Sequence, residues 1–81
     1  MEQNIPNPFA DQTTIRYQLP EGTSTAEIII FDLNGRLIKN YPVYKNQSEL
    51  TIKASDIGSG LFIYSLVENG QELLSKKMVI K

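Results

Sequence analysis

The side chains available for chemistry in this chain are few in kind. Its 81 residues include no cysteine and no histidine. That removes disulfides, thiolate and imidazole metal sites, cysteine nucleophiles and histidine bases together. A hydroxyl nucleophile would then need lysine as its base. Ser75-Lys76 and Ser48 near Lys45 are the nearest arrangements, and neither has the spacing or the glycine elbow that presents a serine. Paired carboxylates run glycosidic chemistry, but Glu21, Glu27, Asp32 and Asp56 fall in loop-like and strand-like contexts. A domain of this size also offers little cleft to hold them. Calcium would need about six or more oxygens. Asp32-Leu33-Asn34-Gly35 and Asn69-Gly70-Gln71-Glu72 supply two such side chains each, which suits turns closed by Asx geometry better than an ion. Gly58-Ser59-Gly60 lacks the lysine and hydroxyl of a phosphate loop and leads into a strand-like run. Tyr17, Tyr41, Tyr44 and Tyr64 could stack on sugars or bases; as amphipathic residues they serve equally at a core or a sheet edge. No catalytic centre, metal site or cofactor site emerges.

Charge narrows the partners. Eight basic residues face nine acidic ones, a net charge of −1, so a duplex nucleic acid held by bulk electrostatics is not expected. The charge is unevenly placed. Lys76, Lys77 and Lys81 interleave with Met78, Val79 and Ile80 in the last six positions, and no acid follows Glu72. Physical chemistry alone favours a terminal strand whose lysines discourage edge pairing; the sharper reading is an exposed basic-apolar tag read by a receptor. No apolar run approaches the roughly 18 residues of a membrane span. The polar start Met1-Glu2-Gln3-Asn4 has no basic-then-apolar pattern of a signal peptide.

The elements that would carry these residues are short strands. Pro20-Glu21-Gly22, Asn34-Gly35, Pro42, Asp56-Ile57-Gly58-Ser59-Gly60 and Asn69-Gly70 punctuate segments rich in Ile, Leu, Thr, Tyr and Phe, the pattern of an antiparallel all-β domain. Ten isoleucines favour extended backbone. Thr13 to Leu19 alternates, with Ile15, Tyr17 and Leu19 on one side. Ala26 to Leu33 is apolar almost throughout and predicts an inner strand covered on both faces. Asn34-Gly35 fits a type I′ turn, after which Arg36 to Val43 returns, Pro42 marking an edge or a strand end. Leu50 to Ala54, Leu61 to Glu68 and Glu72 to Ile80 complete six strands, and Ile5 to Phe9 could add a seventh. Ala54 to Ile57 is at most one helical turn, with Ser55 and Asp56 as caps. Two facing sheets bury such strands economically. The expected fold is a small Ig-like antiparallel β-sandwich of about seven strands, with an open barrel as the second choice.

The motifs, taken in order, resemble a known family. They are Asn4-Ile5-Pro6-Asn7-Pro8-Phe9, Thr13 to Pro20, Ile30-Phe31-Asp32-Leu33-Asn34-Gly35-Arg36-Leu37, Ser59-Gly60-Leu61-Phe62-Ile63-Tyr64-Ser65-Leu66 and Lys76-Lys77-Met78-Val79-Ile80-Lys81. Each is weak alone; five in order, ending on lysine, are specific. From about Gln3 to Lys81 the chain resembles the type A C-terminal sorting domain of the type IX secretion system of Bacteroidetes.

That resemblance implies an Ig-like domain at the end of a larger secreted protein, here residues 1–81 excised from it with Met1 as an added initiator. It implies a covalently linked N-terminal passenger, outer-membrane shuttle and translocon proteins as partners, and a sortase-like protease that removes the domain. It implies transit through the periplasm to the outer membrane, cell surface or medium. The domain would be an address, not an enzyme. Lys76, Lys77, Met78, Val79, Ile80 and Lys81 match the part read by the machinery, which reverses the preference for the gatekeeper reading. Pro6, Asn7, Pro8, Phe9, Asp32, Gly35, Arg36 and Gly60 are read as mainly fold-defining. Pro6-Asn7-Pro8 would fix an extended approach that delivers Phe9 to the core, Arg36 would pair with Asp32, and Gly60 would let the chain turn into its strand. Exposed edges leave room for a weak edge-paired dimer. The alternative is a non-catalytic Ig- or fibronectin-like spacer or carbohydrate-binding module of a bacterial surface protein.

Overall fold

Alternation sorts the residues of each strand to two sides, and the apolar sides meet. In the computed structural model, which describes all 81 residues, the strands are β1 (Gln12–Arg16), β2 (Thr25–Phe31), β3 (Leu37–Tyr44), β4 (Glu49–Lys53), β5 (Gly60–Glu68) and β6 (Gln71–Ile80). A single 3₁₀ turn, Ala54–Asp56, is the only helical piece. The strands form two antiparallel sheets, β1-β4 and β3-β2-β5-β6. Ile15 and Ile52 from the small sheet face Ala26, Ile28 and Ile30 of β2, Val43 of β3, Phe62, Tyr64 and Leu66 of β5, and Met78 and Ile80 of β6; Phe9, Tyr17 and Leu19 close the same core. The expected all-β sandwich is therefore present, with six strands and a seventh contribution from the N-terminus.

That seventh contribution is not a strand. Ile5 bridges antiparallel to Thr14 of β1, and Phe9 bridges parallel to Ile80 of β6. The Ile5–Pro6 and Asn7–Pro8 peptides are both cis, and the chain bends over residues 6 to 8. The extended approach expected from Pro6-Asn7-Pro8 is thus replaced by a bend that steps from one sheet to the other. Phe9 still reaches the core.

Two other local expectations need correction. β2 is not covered on both faces. Ala26, Ile28 and Ile30 are buried, while Glu27, Ile29 and Phe31 lie on the opposite face and stay exposed or half-buried, because the two-stranded sheet covers only one side of the four-stranded one. The β2–β3 turn is not type I′ either. Gly35 has φ 82°, but Asn34 is not in the left-handed region. Instead Gly35 N–H donates to Asp32 C=O and Asp32 N–H donates to Arg36 C=O, with a register shift after Ile30. The Asp32 carboxylate supplies the reason: its Oδ1 accepts from the N–H groups of Asn34 and Arg36, both at 2.9 Å, an Asx-type closure that competes with the type I′ geometry. Asn69-Gly70, with φ 51° and 78°, does form the two-residue turn joining β5 to β6. No side chain caps the 3₁₀ turn; Ala54 C=O closes it by accepting from the N–H groups of Ile57 and Gly58.

Candidate recognition surface

β6 carries the basic C-terminal motif, and the pleat divides it. Met78 and Ile80 are buried in the core, at 0% and 3% exposure, whereas Val79 is 37% exposed. Lys77 and Lys81 are exposed and Lys76 is half-buried. The only ion pairs in the molecule join Arg16 to Glu49 and Arg36 to Asp32, so Lys76, Lys77 and Lys81 have no carboxylate partner. The motif is therefore one strand with two rows: Met78 and Ile80 anchor the core side, with the half-buried Lys76 beside them, and Lys77, Val79 and Lys81 face outward.

The outward row extends a larger surface. Lys77 pairs with Ile63 and Val79 with Leu61 across β5, and Ile63 pairs in turn with Phe31 of β2. Leu61, Val79 and Leu37 are exposed, and Ile29, Phe31, Ile63 and Val67 are half-buried. This apolar sheet face, next to the lysines, was not read from the sequence. Its signal was present in the dense runs of β2 and β5, where apolar residues occupy both parities.

The free edge of β6 meets the N-terminal segment. The Gln3 side-chain amide donates to Lys77 C=O at 2.6 Å. Val79 N–H donates to Asn7 Oδ1 at 2.9 Å. Phe9 N–H donates to Val79 C=O at 3.1 Å and Lys81 N–H donates to Phe9 C=O at 2.8 Å. Ser59 Oγ adds a bond to the main-chain oxygen of Lys81 at 3.1 Å. The first and last motifs of the sequence are thus one structural unit.

A buried polar cluster fixes this segment to the sandwich. Asn4 is buried, its side chain donating to Thr13 Oγ1 and to Pro6 C=O, both at 3.1 Å. The Asn4 N–H donates to the Tyr64 hydroxyl at 2.9 Å, and that hydroxyl donates to Glu2 C=O at 3.0 Å. Burial pushes the Tyr64 phenol above its ordinary value, while the bond from the Asn4 amide works in the other direction. Sequence reasoning quoted Asn4 only as the head of the first motif and gave Gln3 no role, because amide side chains near a terminus carry no pattern of their own.

The remaining predicted residues hold the frame. Asp32, Gly35 and Arg36 form the β2–β3 turn, with Arg36 Nε 3.3 Å from Asp32 Oδ2. Gly60 opens β5 at φ 141°, paired with Ile80. Pro6, Asn7, Pro8 and Phe9 make the step between sheets. The four tyrosines do not assemble into a stacking platform: Tyr17 and Tyr64 are core residues, and Lys39 sits over the Tyr41 ring, 5.5 Å from its centroid. No group of three or more acidic, cysteine or histidine side chains is placed to hold a metal.

These features define a small all-β domain whose distinctive surface is a basic C-terminal strand beside an open apolar sheet face. Residues 4–81 match the family described as the secretion system C-terminal sorting domain. The chain belongs to that family, the C-terminal sorting domains of type IX secretion. Membership makes it a sorting domain that works with the type IX machinery in export to the outer membrane or cell surface. A comparison with curated proteins gives no match.

Proposed function

We propose that this domain is a non-catalytic address, read in its folded state through the outward row of β6, Lys77, Val79 and Lys81, with the half-buried Lys76 on the opposite row at the strand's free edge. The partners in this reading are an outer-membrane shuttle and the translocon of the type IX system. A passenger joined at the N-terminus travels with the domain through the periplasm, and a sortase-like protease then separates the two. The observation that carries the reading is the division of β6. Met78 and Ile80 hold the strand in the core, so the motif cannot be peeled away as a flexible tail without unfolding the sandwich. Its lysines meanwhile remain unpaired beside exposed apolar surface, a combination suited to a protein partner with acidic and apolar groups.

A reporter protein with a signal peptide, fused ahead of the domain in a type IX-competent bacterium, tests this. Deleting Lys77 to Lys81 would remove Met78 and Ile80 and confound folding with recognition. The informative variant is Lys77→Glu/Lys81→Glu, which changes only the outward charge. Export should fall at least tenfold while the purified domain keeps its unfolding midpoint. Full export of the folded double variant would overturn the proposal.

A further inference from the structure

We infer that the outer edge of β6 from Ser75 to Val79 is a docking site for an extended polypeptide strand, and that the side chains of Gln3 and Asn7 are placeholders within it. The sorting reading supplies the source of such a strand, a component of the export machinery; the edge itself is argued from its hydrogen bonds.

Within a strand, N–H and C=O of one residue point the same way and alternate between neighbours. Lys77 C=O, Val79 N–H, Val79 C=O and Lys81 N–H all bond away from β5. The pairing is regular from Ser65↔Ser75 to Leu61↔Val79. Ser75 N–H, Ser75 C=O and Lys77 N–H therefore point outward too, and no bond from another segment or side chain reaches them. This is half of an unpaired sheet edge, the template for strand addition.

The other half is filled by imitation. Lys77 C=O and Val79 N–H are met by the Gln3 amide and the Asn7 carbonyl, not by backbone. Pro6 and Pro8 have no N–H to offer. Both Gln3 and Asn7 are exposed, so a real strand can take their two positions without disturbing the core. Phe9 behaves differently. It is buried and bonds Val79 C=O and Lys81 N–H through its own backbone, which sets the end of the site. A strand laid between Ser75 and Val79 would continue the open sheet face bearing Leu61, Ile63, Lys77 and Val79. The matching occupant is a strand with apolar residues on that face and carboxylates near the unpaired Lys77.

The test uses the full chain and a fluorescein-labelled synthetic peptide whose every second residue, taken in turn as valine and glutamate, lies on the open face, with threonine at the positions between. Three proteins are titrated by fluorescence anisotropy: the native chain, Gln3→Ala/Asn7→Ala and Ser75→Pro. The double variant should bind at least fivefold more tightly than the native chain. Ser75→Pro, which removes an outward N–H and leaves the β5 ladder intact, should lose binding. Hydrogen exchange on the native chain gives an answer that depends on no variant: saturating peptide should slow the Ser75 and Lys77 amides at least tenfold. Equal binding by all three proteins, no binding by any, or unchanged exchange at those two amides would overturn the inference. Only purified protein and peptide are present, so this outcome is separate from the export assay that judges the sorting reading.

Discussion

Asn7 accepts a hydrogen bond from the Val79 amide at 2.9 Å, across 72 positions of sequence. That contact makes the N-terminal Pro-Asn-Pro motif and the C-terminal lysine motif parts of one edge. The consequence is thermodynamic as well as geometric. Most of the contacts that define this fold are long-range, so neither end folds usefully without the other. A passenger attached ahead of Glu2 would also begin beside the strand that carries the lysines.

Tyr64 and Tyr41 differ in what their hydroxyls do, and removing each should show it. The Tyr64 hydroxyl receives the Asn4 N–H and donates to Glu2 C=O. Tyr64→Phe leaves that buried N–H without an acceptor and should cost about 1–3 kcal/mol. The Tyr41 hydroxyl is buried with no partner. Tyr41→Phe should be neutral or stabilising by up to about 1 kcal/mol, since it removes an unsatisfied group and keeps the ring. Urea midpoints of the two variants check the contrast, and a Tyr41→Phe loss as large as that of Tyr64→Phe would contradict it.

The same two phenols set an alkaline limit. Burial raises Tyr41 above the ordinary phenol value, with the nearby Asp56 charge adding to the effect, and burial raises Tyr64 as well. A phenol raised in the folded state holds its proton more tightly there than in the unfolded chain. Below about pH 9 both states are protonated and these groups contribute no slope. As pH climbs through about 10, unfolded phenols ionise first, the unfolded state binds fewer protons, and stability falls. Unfolding free energy should hold level from neutrality and then decline above about pH 10. Tyr41→Phe should decline less steeply. A native profile that stays level at high pH would mean that the two phenols ionise alike in the folded and unfolded chains.

Much of this architecture is written locally. Six strands follow from alternation and from turn residues, because period-two patterning and Pro, Gly and Asn act over a few neighbours. What the sequence hides is side-chain choice over distance. Asp32 redirects the Asn34-Gly35 turn by bonding two N–H groups, which a dipeptide preference does not report. The apolar outer face of β2 and β5 reads as full burial until the small sheet is seen to cover one side only. The lysine motif is legible as a basic strand, but its division into anchor and display appears only once β6 has a register. Gln3, Asn4 and Asn7 acquire meaning only against Lys77, Tyr64 and Val79.

In the β2–β3 turn, the carboxylate should matter more than the guanidinium. Asp32 accepts two backbone N–H bonds besides its ion pair with Arg36. Arg36 is 79% exposed, so the pair itself is worth at most about 1 kcal/mol. Asp32→Ala should cost about 1–2 kcal/mol through the lost N–H acceptors, and Arg36→Ala about 0.5 kcal/mol or less. Added salt should shrink the Arg36→Ala effect and leave most of the Asp32→Ala effect. Denaturant unfolding at low and high salt measures both; equal losses would place the stability in the ion pair.

Met78 and Val79 are adjacent in sequence and opposite in role, which allows folding and reading to be pulled apart. Met78 is sealed in the core at 0% exposure, and Val79 shows 37% of its surface on the open face. Met78→Ala should cost about 2–4 kcal/mol through lost burial and the cavity left behind. Val79→Ala should cost under about 1 kcal/mol, because its side chain packs on only one side. If export machinery reads the outward row, Val79→Ala should lower reporter export in a domain that still unfolds near the native midpoint, and Met78→Leu, which keeps core volume, should leave export unchanged. Thermal unfolding and export measured on the same three variants decide the matter. Export that tracks stability alone would mean that the folded sandwich as a whole, and not this row of β6, is what the partner requires.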